Sequence, residues 1–261
     1  MQKSKLLVAV LGALCAMPVF AADAPAAPAP AFTPSANVAI VSNYLYRGIT
    51  QTGASPAMQG GFDLAHASGA YIGVWGSSIS WVSDGGLGTS AGTEFDTYAG
   101  YKGTAGSISY DVGYLRYNYP GVYPKTFSTG FANPDTNEVY VAATYSIVTA
   151  KVSYSLDNTF GVKTNAGSTY FDLSVNYPVG ESGYTLGAHY GVQTFKGYDK
   201  TVFAVDPGYS DYRLSISKDL TNGYALGLTL SSTNASDVVY RDLNGNYTGR
   251  GASVVSLSRA F

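Results

Sequence analysis

From Asn37 to Phe261, polar and apolar residues alternate with period two in run after run, and the links between runs alternate in length. Successive side chains on a strand point to opposite faces. Each run therefore presents one apolar stripe and one polar or small stripe. Val139, Val141, Ala143, Tyr145 and Ile147 share a face opposed by Glu138, Tyr140, Ala142, Thr144 and Ser146. Tyr184, Leu186, Ala188, Tyr190 and Val192 oppose Thr185, Gly187, His189, Gly191 and Gln193, and Leu226, Leu228 and Leu230 oppose Ala225, Gly227 and Thr229. The pattern repeats at 107–118, 150–157, 168–177 and 210–219. It is less regular at 37–47, 57–66 and 70–81, where the facing stays open. Short links are predicted at 67–69, 103–105, 147–149, 180–183 and 221–223. Long Gly/Pro/Asn-rich links are predicted near 48–56, 82–93, 119–136, 158–167, 196–209 and 233–250. Five short and six long links join twelve strands.

No segment after the N-terminal leader holds 18 consecutive apolar residues, so no transmembrane helix is expected. Only 12% of residues are charged, against about 25% in an ordinary soluble domain. Low charge without a long apolar run fits strands that show apolar groups to lipid at every second position. Open sheet edges are untenable in lipid, because each unpaired backbone group costs several kcal/mol there. The expected fold is thus all-β: a transmembrane antiparallel up-and-down barrel of about twelve strands, with short periplasmic turns and longer extracellular loops. A soluble lipocalin-like barrel is the competing reading. Tyrosines at predicted strand ends (Tyr114, Tyr117, Tyr119, Tyr145, Tyr177 and Tyr212) favour the membrane, where they suit an interfacial girdle. An even strand number puts both termini on the side of the short turns.

The ends agree with export. Lys3 and Lys5 precede the apolar run Leu6–Ala16, and Val19-Phe20-Ala21 offers small residues for a cut after Ala21. Residues 1–21 are expected to be a signal peptide, 22–34 an Ala/Pro-rich periplasmic tether and 35–261 the barrel. Cys15 leaves with the leader, so no disulfide or thiol chemistry is expected. Removing two lysines lowers Lys+Arg from 15 to 13 against 17 Asp+Glu, a net charge of about −4, which does not suit a nucleic-acid partner. Phe261 ends an alternating strand with Val255 and Leu257 on its face, resembling the signal read by the barrel-assembly machinery. Arg259 interrupts that face and is expected to snorkel to the boundary.

Residues 42–81 carry the sharpest motif: Tyr44, Arg47, Gly48, Gln51, Pro56, Gln59, Gly60, Gly61, Asp63, Gly69 and Trp75, with Ser42, Asn43, Tyr46, Thr52, Ala57, Ser68, Tyr71, Gly73 and Ser77. This stretch resembles the TorF family of outer-membrane porins. The rest resembles it in strand rhythm, length and terminal Phe. The resemblance implies an outer-membrane channel and names no solute. Beside it, Gly48 and Gly53 suit a tight loop and Pro56 a strand start. Gly60 and Gly61 would admit another backbone or a folded loop. Arg47 and Asp63 are expected to face the lumen on adjacent strands and to interact, with Gln59 nearby.

Charges facing lipid cost about 2–4 kcal/mol for Arg or Lys near the midplane, so charged residues on polar stripes should point inward. The acidic set is Asp63, Glu94, Asp96, Asp111, Glu138, Asp157, Asp172 and Asp211; Arg47, Lys102, Lys151, Arg213 and His189 join them. The acidic excess predicts cation preference if the pore is open. Small lumen residues (Gly61, Gly113, Ala142, Gly187, Gly191 and Gly227) predict free space. Loops 119–131 and 198–209, rich in Tyr and Phe, are candidates for a folded-in constriction or a binding surface.

An enzyme reading rests on His66 and Ser68, a His-x-Ser pair with a spacing similar to that of outer-membrane phospholipase A. It lacks an identifiable third partner and borders a short turn. Asp242-Leu243-Asn244-Gly245-Asn246 departs from a calcium loop and suits an Asn-Gly turn. No catalytic residue, metal site or cofactor is therefore assigned. The expected contacts are outer-membrane lipid, the assembly machinery and small solutes. A non-conducting structural or adhesive barrel is the alternative to a pore.

Overall fold

Strands form where the sequence alternates. The computed structural model of the chain describes residues 31–128 and 130–261. The segment 1–21, expected to be a signal peptide, and residues 22–30 of the expected tether lie outside the described residues. The strands are β1 (Phe32–Val41), β2 (Leu45–Tyr46), β3 (Ile49–Thr50), β4 (Ala57–His66), β5 (Ala70–Ser78), β6 (Thr93–Ala105) and β7 (Ile108–Asn118). They continue as β8 (Thr136–Tyr145), β9 (Val148–Ser155), β10 (Thr169–Pro178), β11 (Tyr184–Thr194), β12 (Tyr209–Asp219), β13 (Tyr224–Thr233) and β14 (Ala252–Ala260). One helical turn, α1 (Trp81–Asp84), interrupts the second long loop.

Twelve of these strands close a barrel: β1 and β4 to β14, each antiparallel to its neighbours. β1 makes the seam, pairing with β14 from Asn37↔Ala260 to Val41↔Ser256 and with β4 from Phe32↔His66 to Val41↔Ala57. Phe261 continues the seam, its N–H donating to the Ala36 carbonyl at 2.9 Å. The termini of the barrel therefore meet on the side of the short turns. Pairing starts at Phe32, three residues before the expected start of the barrel at 35, because Phe32–Pro34 find partners in Leu64–His66.

The long links are L1 (42–56), L2 (79–92), L3 (119–135), L4 (156–168), L5 (195–208) and L6 (234–251); five short turns lie at the other rim. Two turns sit elsewhere than expected. Gly103-Thr104-Ala105 ends β6 instead of forming a turn. Gly103 faces outward and leaves room for the Tyr110 ring, whose Cζ would lie 2.5 Å from a Cβ there. Gly106, at φ 61°, makes the reversal. Likewise Ser146 (φ 55°) turns the chain, so Val148 and Thr149 belong to β9.

The apolar stripes face outward. Leu214 is 63% exposed, Val141 59%, and Leu226, Leu228 and Leu230 follow on one strand. Two exposed aromatic rows bound this band: Phe95, Tyr154, Phe171 and Tyr190 toward the loops, and Tyr101, Tyr145, Tyr177 and Tyr184 toward the turns. Members of one strand or hairpin arm, such as Phe171 and Tyr177, are six residues apart, about 20 Å along a strand. Tyr114, Tyr145, Tyr177 and Tyr212 face out as expected. Tyr117 and Tyr119 do not: at 4% and 3% exposure they turn inward beneath the loops. Near the turn rim, Arg259 faces out and rests on the Tyr224 and Phe261 rings, 5.0 and 4.4 Å away. Lys218 sits over Tyr184 at 4.5 Å. Leu228→Arg, in the middle of the band, is expected to lower barrel stability by about 2–4 kcal/mol. Urea unfolding in lipid vesicles reads this, and a change below 0.5 kcal/mol, an order-of-magnitude threshold for surface sites, would contradict a lipid-facing β13.

A buried apolar cluster lies inside the mouth. It joins Val41, Tyr44, Ile79, Val82, Leu87 and Tyr117, with Tyr119 and Val254. L1, L2 and the start of L3 thus fold into the barrel as a plug.

Candidate functional site: the lumen

L1 builds the centre of the site. Leu45-Tyr46 and Ile49-Thr50 pair as a two-rung hairpin, and Arg47 (φ 47°) and Gly48 (φ 79°) form its tip. Both positions need positive φ, which glycine tolerates and arginine adopts at a cost. The tip reaches the opposite wall: a Cβ on Gly48 would lie 2.7 Å from Asp211 Cβ. Only a glycine leaves room for that approach.

The approach places Arg47 inside the barrel. Its NH2 group donates to Glu138 Oε2 and its NH1 group to Gln193 Oε1, both at 2.7 Å. The guanidinium lies 4.3 Å from the Tyr170 ring centre and 4.8 Å from that of Tyr46. Phe160 of L4 adds a third ring at 5.7 Å. Glu138 also accepts from Ser155 Oγ at 3.3 Å and Tyr117 OH at 3.4 Å, and Tyr46 OH donates to Tyr117 OH at 2.7 Å. One loop residue thus ties β8 to β11. The expected Arg47–Asp63 contact is not formed. Arg47 sits on a loop tip that projects away from β4, while Asp63 accepts from Tyr98 OH at 2.7 Å. Gln59 bonds Ser77 Oγ at 3.3 Å instead.

The wall from β5 to β11 repeats one packing unit, in which a tyrosine lies across an inward glycine of the next strand. Tyr98 covers Gly73, Tyr71 covers Gly100, Tyr140 covers Gly113 and Tyr170 covers Gly191; each ring Cζ would be 2.5–2.6 Å from an added Cβ. Three of these rings carry a cation: Lys102 over Tyr71 at 4.7 Å, Lys151 over Tyr140 at 4.0 Å, and Arg47 over Tyr170. The hydroxyls find carboxylates. Tyr71 donates to Asp111 Oδ1 at 2.6 Å and Tyr170 to Asp211 Oδ2 at 2.8 Å, and Tyr71 also meets the Tyr140 hydroxyl. Gly113 and Gly191 are therefore seats for rings instead of empty lumen. Gly61 likewise faces Trp75 Cδ1, 3.1 Å from a notional Cβ, and not a loop.

Most lumen acids are engaged. Lys102 approaches Asp111 at 4.0 Å. His189 is held between strands, Nδ1 3.0 Å from Asp172 Oδ2 and Nε2 2.8 Å from Asp211 Oδ1. Ser174 donates to Asp172 at 2.6 Å. Glu94 and Asp96 stand two residues apart on β6, 1% and 5% exposed beneath L1, and Tyr44 OH donates to Glu94 at 3.0 Å. Asp157 is not on a strand face: it sits in L4, accepting from the Asn137 amide N–H at 3.0 Å.

The wall from β12 through β14 to β1 differs. Gly227 faces the Ser256 hydroxyl, and Gly187 the Ser215 hydroxyl with the Asn176 side-chain oxygen beyond it. Ser217, Thr229, Ser231 and Ser258 continue this lane, and the atoms nearest Gly187 and Gly227 belong to no ring. Open space in the lumen is thus one-sided. The sequence singled out Arg47, Glu138 and His189 but missed Gln193, Tyr170 and Tyr46. Gln193 shares the polar stripe of His189, and Tyr46-Arg47-Gly48 marks a hairpin tip; nothing in one dimension joins them.

His66 Nδ1 and Ser68 Oγ are 2.8 Å apart, but Nδ1 also accepts the Ser68 amide N–H at 3.1 Å, at an exposed turn. The pair closes that turn. Among the described residues no three His, Cys, Asp or Glu side chains are placed to hold a metal ion. Asp242 accepts from the Asn246 N–H at 2.8 Å, the geometry of a tight turn.

Solved structures share this architecture. The KdgM porin superposes with TM-score 0.51 and 7% identity, over 87% of this chain and 98% of that one. The KdgM porin in complex with disordered oligogalacturonate gives 0.50, 7%, 88% and 99%, and the NanC porin 0.50, 8%, 88% and 99%. At such identities the likeness is one of fold: a twelve-stranded barrel resembling known bacterial outer-membrane porins. No curated protein matches the chain. A family model described as a bacterial protein of unknown function matches residues 25–261, and the chain therefore belongs to the Gcw_chp family.

Proposed function

We propose that the chain is an outer-membrane channel for passive diffusion of small polar solutes, exported through its N-terminal leader and inserted by machinery that reads Phe261. The motif at 42–81 supports placing it with the TorF porins. Its Arg47-Gly48 is the hairpin tip in the lumen, and its Gly61 and Trp75 are a ring seat on β4 and β5. The observation that carries the reading is the one-sided lumen. Tyrosines fill the wall from β5 to β11, while on the turn side of the L1 tip, which packs on Asp211 and Thr233, β12 to β14 present mainly glycine, serine and threonine beside Arg213. A barrel filled for rigidity alone would bring large side chains from every strand. A path along the hydroxyl lane suits solutes that exchange hydrogen bonds with water for bonds to the wall.

The buried apolar cluster beneath L1 favours a second reading, a barrel closed at rest. Planar-bilayer recording separates the two. Stepwise conductance from the refolded chain is expected for the channel. A variant with residues 44–53 replaced by a short Gly-Ser link is expected to conduct several-fold more. Silence from both would end the channel reading; silence from the wild-type chain alone would support the closed barrel.

A further inference from the structure

Arg213 stands apart from the other lumen cations. It lies on the inward stripe of β12, half-buried, between Asp211 and Ser215. Among the described residues it has no hydrogen bond, no ion pair and no ring contact. Arg47 is bonded to Glu138, Lys102 faces Asp111, and Lys151 lies on Tyr140. The carboxylates near Arg213 are bonded to other groups: Asp211 accepts from Tyr170 and faces His189, and Asp172, within electrostatic reach of Arg213, accepts from Ser174 and faces His189. A guanidinium carries five donors in a planar fork and is charged at any ordinary pH. Left unsatisfied by the protein, that fork is available to an acceptor in the lumen.

Its surroundings narrow the acceptor. Arg213 pairs across the sheet with Ser231, and Ser215 with Thr229. Gly187 opens space opposite Ser215. On the β13 side the fork is therefore flanked by hydroxyls that can donate or accept, and on the β11 side its cross-strand neighbour is His189. At the loop rim, a cleft of about 450 Å³ lies between L1 and L6, lined by Ser42, Asn43, Thr50, Thr248, Arg250 and Ala252, while the Gly48 tip of L1 packs on Asp211 and Thr233, the pair on the loop side of Arg213 and Ser231. That lining contains one cation and no acid. Ala252 pairs with Ser231, itself the partner of Arg213, so the cleft wall and Arg213 are two strand spacings apart, about 10 Å.

We propose that Arg213 is a docking point for the carboxylate of a small polyhydroxylated anion in the lumen, with the hydroxyls of Ser215, Thr229 and Ser231 taking the rest of the solute. This rests on the channel reading and names a solute class for it. It runs against the cation preference expected from the acidic count, because those acids are held by tyrosines, histidine and paired cations.

The test uses the refolded full barrel in planar bilayers, with gluconate as the hydroxylated carboxylate and N-methylglucamine as its cationic counterpart. Gluconate is expected to reduce chloride current at millimolar concentration and N-methylglucamine to have no such effect. Arg213→Gln should raise the half-blocking concentration about tenfold, the effect of losing one charge-assisted hydrogen bond. Arg213→Lys should fall between, keeping charge without the fork. Heat-modifiable gel migration confirms that the variants fold. Equal block of wild type and Arg213→Gln, or equal block by the two solutes, overturns the proposal. If every bilayer is silent the channel reading fails, and calorimetric titration of gluconate into the detergent-folded barrel decides the site alone. Heat that disappears in Arg213→Gln supports it; no heat from the wild-type barrel overturns it.

Discussion

Arg47→Ala is expected to release L1 and raise single-channel conductance several-fold, at a stability cost of about 3–5 kcal/mol. The cost has a definite source. The Arg47 side chain is 6% exposed and its partner Glu138 2%, at a separation of 2.7 Å. Removing the guanidinium leaves the carboxylate with Ser155 and Tyr117, at 3.3 and 3.4 Å, and no counter-charge. It also removes the cap from the Tyr170 and Tyr46 rings. Removing one partner of a buried pair costs far more than removing both. The double variant Arg47→Ala/Glu138→Ala should therefore recover much of the loss while keeping the raised conductance. Bilayer recording and urea unfolding read the two effects separately. Unchanged conductance in Arg47→Ala would show that L1 does not narrow the path.

Gly100→Val should produce the second large effect, a loss of about 2 kcal/mol or more with slow or incomplete folding. A Cβ at this position would lie 2.6 Å from the Val112 carbonyl oxygen and 2.6 Å from Tyr71 Cζ. The carbonyl belongs to the paired strand β7 and cannot move without breaking the ladder. Tyr71 is held by Asp111 and cannot swing away cheaply. Gly227→Ala is the matched control. Its Cβ meets only the Ser256 side chain, which can rotate, so the change should stay within about 0.5 kcal/mol. Unfolding followed by the fluorescence of Trp75 and Trp81 compares them. Similar midpoints would mean that the glycine seats are not needed to place the tyrosines.

These two sites show where one-dimensional reading stops. The stripe containing Gly113, Gly191 and Gly227 looks the same along the chain at each position. In space the first two are covered by rings from the next strand and the third faces a serine. Coverage depends on register, and register pairs residues tens of positions apart, as Gly113 with Tyr140. Arg47 makes the same point. Its partners Glu138 and Gln193 are 91 and 146 residues away, on strands that only closure brings within reach. A charge count has the same limit, since it cannot see that Asp172 and Asp211 share His189. L1 enters the lumen because the Arg47-Gly48 tip reaches the far wall, and the stretch 119–131 joins the plug through Tyr119, with Tyr123 and Phe131 packed against the buried cluster.

The period-two pattern, the low charge and the alternating link lengths determined, from sequence alone, a twelve-stranded antiparallel barrel with its apolar stripes outward and both ends of the barrel at the short-turn rim. These are local properties, since a strand's faces and a turn's length are written within about ten residues. Tertiary structure alone decided which loop enters the lumen, which charges neutralise one another, which glycines hold rings and which lie open, and that Arg213 is left unpartnered. Each is a contact between distant segments, set by the register and closure of the whole barrel, and no local pattern encodes it.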